Sequence, residues 1–245
     1  MSAEIRWSIM APWGERSLRA FEPTLPEVVA AAPLLAAFYN DCHNAAMMAN
    51  TAEASADDVV DMFQAMRAGG DRPFLLEQDG DLMGDADLRN IEGVEAEFAI
   101  LVGPRVQQSR GLGTRFAAML HAAALRVLGV ERIYATVIPQ NIASRRMLEK
   151  LGYQLDPSPR AASFADGEDD IAMSVDRLQF ERAQAELLTQ VVITPLAAAT
   201  ASGILPNPPA LPPHLVRAPS AVGQNPGDPA TSASARQLPG GDTLR

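Results

Sequence analysis

Gly111 and Gly113, in the stretch QQSRGLGTRF at 107–116, stand between the apolar run FAILV and the alanine-rich AAMLHAAAL. The first N–H groups of a helix have no partner within it, and the helix dipole adds positive character there. Glycine lets a ligand reach that backbone without a Cβ in the way. Successive amides from Arg110 to Thr114 therefore suit a diphosphate, with the Arg110 cation beside it. A second set of residues is charged, and mostly acidic. Asp85, Asp87 and Arg89 recur at a spacing of two, as do Glu95 and Glu97, so each group shares one face of a strand. A carboxylate facing a cleft takes a proton from an ammonium group or holds a cation. The third set is Asn141 and Ser144, where Asn141 suits the cap of a helix that begins after Pro139.

Three phosphate-binding patterns compete for the glycines. A P-loop requires Gly-Lys, and the sequence has none. A dinucleotide fingerprint requires a third glycine where Phe116 stands, and an acid after the next strand where Pro139 and Gln140 stand. The remaining pattern, [QR]-x-x-G-x-[GA], is filled by Gln108, Gly111 and Gly113.

Several elements must position these groups. SLRAF is a strand, followed by helices through LPEVVAAAPLLAAFYN and SADDVVDMFQAMRAGG; the second opens on the capping pattern Ser55-x-x-Asp58. PFLLEQ and LMGDADLRNI form a hairpin around Asp79-Gly80. VEAEFAILV is the next strand, and Leu112, Phe116 and Leu120 recur at helical spacing after the glycines. RIYATVIP, IASRRMLEKLG and DIAMSV then read as strand, helix and strand. Hairpins followed by a β-α-β unit predict one mixed α/β domain over 16–181, after an N-terminal extension at 1–15. A C-terminal helix or linker is expected at 182–202. The proline-rich segment 203–245, which lacks periodicity and carries little charge, is expected to be a disordered tail.

Composition narrows the function. The net charge of −10 argues against nucleic acid and leans towards cationic acceptors. One cysteine, Cys42, excludes an intramolecular disulfide framework, and no apolar stretch reaches the ~20 residues that span a bilayer. A cytoplasmic protein without membrane contact is expected, as monomer or homodimer. Three scattered histidines give no metal spacing, so no metal is expected; His121 and Tyr153 read as core. Adjacent Cys42 and His43 point apart on a helix and do not form a nucleophilic pair.

With VIPQNIASRRMLEKLGY about thirty residues after the glycines, the sequence resembles the GNAT superfamily of acetyl-CoA-dependent N-acetyltransferases over about 16–178. N-x-x-S-x-x-x-L-E-K-L-G-[FY], from Asn141 to Tyr153, is most similar to the branch acting on ribosomal-protein N-termini. The resemblance implies a mixed, mostly antiparallel seven-stranded sheet flanked by helices. Its fourth and fifth strands, here VEAEFAILV and RIYATVIP, would splay to admit the pantetheine arm of acetyl-CoA. It places the cofactor on Gln108, Ser109, Arg110, Gly111, Leu112, Gly113 and Thr114, on backbone groups of Ile100, Leu101 and Val102, and on Asn141 with Ser144.

The same resemblance makes Glu97 the first choice of base. It places the acceptor pocket along LLAAFYNDCHNAAMM and SPRAASFADGEDD. One departure is Leu148, where many members carry a tyrosine that protonates the leaving thiolate; water or Ser144 would then assist. The expected activity is acetyl transfer to a primary amine of a small molecule or peptide by direct attack. The alternative is a non-catalytic acyl-CoA-binding sensor or interaction protein.

Overall fold

The computed structural model describes residues 5–48 and 52–196. The expected tail at 203–245 lies outside them. In chain order the strands are β1 (Arg6–Trp13), β2 (Arg16–Phe21), β3 (Arg72–Gln78), β4 (Asp81–Glu92), β5 (Glu95–Val102), β6 (Arg132–Val137), β7 (Gln154–Leu155), β8 (Ile171–Asp176) and β9 (Val192–Leu196). The helices are α1 (Leu25–Tyr39), α2 (Cys42–Ala46), α3 (Ala56–Ala68), α4 (Leu112–Val127), α5 (Ile142–Lys150), α6 (Pro159–Ala162), α7 (Arg177–Ala183) and α8 (Ala185–Leu188).

All nine strands form one sheet in the order β7-β8-β6-β5-β4-β3-β2-β1-β9. Every pairing is antiparallel except β5 with β6. The sheet thus has two strands more than the seven expected, and both additions lie outside 16–181. β1 falls in the segment read as an extension, where Pro12 stands within the strand. Its alternation still buries Ile9 and Ala11 while exposing Met10. β9 falls where a helix or linker was expected. Beyond α8 the chain is β-branched (Val191, Val192, Ile193, Thr194), which favours a strand, and it pairs with β1 through Ile193 opposite Ile9.

Each face of the sheet carries its own core. On one face α4 is buried along most of its length, with Phe116, Met119 and Leu120 packed on Phe98, Leu88 and Phe74. On the other, α1 and α3 bury Leu35, Phe38, Val59 and Phe63 against Leu75 and Leu101. Both of these helices start on a capping box, Thr24 with Glu27 and Ser55 with Asp58. Such a box satisfies two otherwise unpaired donors at each start. Gly103, just past β5, is required by packing: a Cβ there would lie 1.9 Å from the Phe38 ring. That approach seats α1 over the end of β5.

Inside the core His121 is fully buried. Its Nδ1 donates to the Ala117 carbonyl (2.7 Å), so its Nε2 accepts from the Tyr153 hydroxyl (2.6 Å). Burial pushes the imidazole down to about 4, so the ring is neutral near pH 7. Both residues are structural.

Candidate active site

β5 and β6 pair only from Glu95 opposite Arg132 to Glu97 opposite Tyr134, yet the strands run on to Val102 and Val137. Beyond Glu97 they separate. Val94 accepts from the Arg132 amide on the β6 side (3.2 Å), so strand alternation turns the peptides of Ile100 and Val102 towards the opening. Leu101 is turned the other way: its carbonyl lies against Gly84 of β4, so its peptide belongs to the ladder.

The loop after β5 leads from this opening to α4. Gly111 is the N-cap of α4 at φ +91°, and Ser109 stands at φ +58°. Left-handed residues two apart turn intervening amides to one side and form a concave nest. Among the described residues, no protein acceptor takes the amides of Ser109, Arg110, Gly111, Leu112, Gly113 or Thr114. The helix therefore presents unpaired donors beside the splay. A Cβ on Gly113 would point between Met147 of α5 (3.4 Å) and Val102 of β5 (3.6 Å), at the mouth of the opening.

Two residues of the expected site are engaged with the protein itself. The Gln108 amide nitrogen donates to the Val102 carbonyl (2.8 Å) and to Asn44 Oδ1 (2.7 Å), tying loop, strand end and α2 together. Asn44 in turn donates to the carbonyls of Phe38 and Gly103. Asn141 caps α5 by accepting from the Ser144 amide (3.0 Å), and its own nitrogen donates to the Met47 carbonyl (2.8 Å). Both side chains set the walls of the opening. Ser144 is half-buried in the first turn of α5. Leu148 is buried in the core.

The acids lie on the α1 and α3 face. Glu97 is buried, and its oxygens accept from Arg89 (3.1 Å) and Asn90 (2.8 Å). Asp85 is deeper, 6% exposed, with Oδ2 accepting from the Tyr39 hydroxyl. Its Oδ1 is buried without a hydrogen bond among the described residues. Burial pushes Asp85 up to about 7 against the pull of the Tyr39 hydroxyl, and Asp87 adds to the rise. Asp87 is pushed up to about 6, again chiefly by burial; Arg89 opposes this and Glu97 and Asp71 reinforce it. Burial disfavours the Arg89 cation, but Asp87 and Glu97 outweigh it and hold it charged. Tyr39 is raised well above its ordinary value by burial and by Asp85, so its hydroxyl stays protonated. Its place in an apolar helix gave no sign that it reaches Asp85.

The loop after β7 closes the other side. Phe164 stacks near Tyr134 (5.1 Å between ring centres), and Arg160 pairs with Glu92 and Glu95 at 3.0 Å. Beyond it Asp156, Asp166, Glu168 and Asp170 surround a cavity of about 720 Å³ beside β7 and β8. Of the two segments expected to line an acceptor pocket, one supplies Tyr39, and the other supplies this loop.

The chain matches the family model described as an acetyltransferase (GNAT) domain over residues 18–154. Spermidine N(1)-acetyltransferase of Escherichia coli K12 is 30% identical over 100 residues, 40% of this chain and 53% of the relative. The chain thus spans about half the length of the curated relatives it matches. Mycobacterium smegmatis RimJ, solved with CoA-disulfide, has the same fold: TM-score 0.59, 17% identity, covering 78% of this chain and 97% of that one. So does Vibrio cholerae spermidine N-acetyltransferase, solved with CoA and spermine: TM-score 0.55, 18% identity, covering 69% and 99%. A family match across more than half the chain, on a sheet that parts between β5 and β6, makes this protein a member of the GNAT acetyltransferase family.

Proposed function

We propose that the protein is an acetyl-CoA-dependent N-acetyltransferase that moves an acetyl group onto a primary amine. The observation that carries the reading is the coincidence of a splayed β5–β6 pair with a run of unpaired amides at the start of α4. In this reading the amides of Ser109 to Thr114 take the diphosphate, and Arg110 adds a cation. The Ile100 and Val102 peptides line the pantetheine path, and an N–H there polarises the thioester carbonyl as it gains negative charge. Gln108, Asn141 and Ser144 support the walls of that path. The bound amine attacks the carbonyl carbon directly, so no enzyme nucleophile is needed, and Cys42, exposed on α2, takes no part.

The acceptor is cationic. Asp87 and Glu97 share one guanidinium, that of Arg89, and a positively charged amine offsets the negative charge left over beside it. The likeness to spermidine acetyltransferases supports the same class. Among the described residues no helix is long and apolar enough to cross a membrane. With one unpaired cysteine, the reading places the enzyme in the cytoplasm. The test follows free thiol when acetyl-CoA is mixed with the full chain and a panel of polyamines, aminoglycosides and peptide amines. Thiol release that requires both substrates, with the acetylated amine seen by mass, is the expected result. Stabilisation by CoA with no thiol release would replace this reading with that of a sensor.

A further inference from the structure

Amide formation needs a neutral amine, whereas a cationic acceptor arrives as an ammonium ion. Some group must remove that proton before attack. Glu97 is poorly placed for the task, since both of its oxygens already hold donors on Arg89 and Asn90. Asp85 differs. It is more than nine-tenths buried, its Oδ1 has no partner among the described residues, and its Oδ2 is held by Tyr39.

Asp85 is also connected to the opening. Two residues along the same face of β4, Asp87 keeps 13% of its side chain open, and Arg89 Nε stands 3.5 Å from its Oδ1. Across the ladder Asp87 pairs with Ala99, whose methyl group is the smallest side chain on that face of β5. Glu95, Glu97 and Leu101 flank it. The small Ala99 side chain thus lies between the edge where β5 leaves β6 and Asp87, and Asp85 stands two residues further along the same face of β4. The groups that act on Asp85 are Tyr39 from α1 and Asp87 on β4, and Arg89 on β4 and Glu97 from β5 act in turn on Asp87. Asp71 before β3 and Asp166 from the loop after α6 act on Asp87 and Arg89 respectively. Its register partners, Leu75 and Leu101, carry no charge.

The geometry points to Asp85 as the group that accepts the acceptor's ammonium proton, with Asp87 meeting the ammonium at the mouth and Tyr39 positioning Asp85. This rests on the acetyl-transfer reading. The ammonium gives one proton to the Asp85 carboxylate through Asp87 or a water. The freed nitrogen lone pair forms the C–N bond at the thioester carbon, and the carbonyl pair moves onto oxygen. Collapse returns that pair, breaks the C–S bond and releases the thiolate of CoA. The second nitrogen proton leaves to the thiolate or to water. Tyr39 donates to the ionised carboxylate and favours it, so Asp85 is ionised at a lower pH than its burial alone would allow.

The experiment measures kcat and KM against pH for the full chain, Asp85→Asn and Tyr39→Phe, at saturating acetyl-CoA. A carboxyl-carbon NMR titration of the same proteins gives a readout independent of turnover. In the wild type, kcat/KM for the amine rises with pH through an inflection near neutrality, and one aspartate carboxyl titrates with it. Asp85→Asn removes both and lowers kcat about a hundredfold or more, with KM for acetyl-CoA unchanged. Tyr39→Phe moves both to higher pH, a shift that a merely structural role would not produce. An active wild type whose rate and inflection survive in Asp85→Asn overturns the proposal and leaves the acetyl-transfer reading standing. A wild type that binds acetyl-CoA and releases no thiol with any amine overturns that reading, and the proposal with it. Should Asp85→Asn fail to fold, an unmoved inflection and carboxyl titration in Tyr39→Phe overturn the proposal.

Discussion

Gly113→Glu separates the stability of the nest from its proposed ligand, because the two respond in opposite directions. Gly113 is the second residue of α4 and has no positive φ. Its Cβ would meet Met147 and Val102 at 3.4 and 3.6 Å, contacts that flexible side chains relieve. Replacing a helical glycine gains about 0.5–1 kcal/mol, and a carboxylate in the first turn gains roughly 0.3–1 kcal/mol from the dipole. The variant is therefore expected to unfold at the same temperature as the wild type or slightly above it. Binding moves the other way. A carboxylate about 4 Å from a phosphate charge costs about 1 kcal/mol in water and about 4 kcal/mol near a protein surface. The CoA dissociation constant is expected to rise between about fivefold and a thousandfold. Calorimetric titration with CoA, run beside thermal melts with and without it, reads both quantities. Unchanged CoA affinity in a well-folded variant would refute the placement of the diphosphate on α4.

Asn141→Ala removes the α5 cap and the tie to Met47 together, with an expected loss of about 1–3 kcal/mol in denaturant unfolding. His121 has a folded-state value near 4 against an ordinary 6.5, so below pH 6.5 the unfolded chain binds a proton that the folded chain refuses. Stability is expected to fall by about 3 kcal/mol between pH 6.5 and 4 on this account, and unfolding of His121→Gln across that range should lack the dependence. Asp85 acts oppositely. Its folded value is near 7 against an ordinary 3.8, so the folded chain keeps a proton that the unfolded chain has lost. Asp85→Asn is expected to gain about 2–3 kcal/mol on the wild type between pH 5 and 7, and paired unfolding curves that stay parallel would refute the buried-carboxyl argument.

Most of the fold was legible because it follows from local rules, while the position of the opening came with the family resemblance. The Ser55 box, the Asp79-Gly80 turn and the period of α4 each act within a few residues. The glycine pattern likewise marks a backbone requirement, which the left-handed Gly111 makes explicit. β1 and β9 were less legible, since each carries a proline and their pairing joins residues at opposite ends of the described chain. Side-chain partners were the least legible part. Sequence spacing puts Asp85, Asp87 and Glu97 on strands, but only the ladder register sets Arg89 opposite Glu97 and Ala99 opposite Asp87. Nothing local says that Tyr39, forty-six residues earlier, bonds Asp85. Asn141 carries two meanings, helix cap and site residue, and the structure assigns its side chain to the cap and to Met47.

Amide-resolved NMR during titration with acetyl-CoA reports on the proposed diphosphate donors themselves. The largest shifts are expected on the amides of Ser109 to Thr114, with Ile100 and Val102 next. Tight binding that leaves those amides unmoved and perturbs another surface would contradict that assignment.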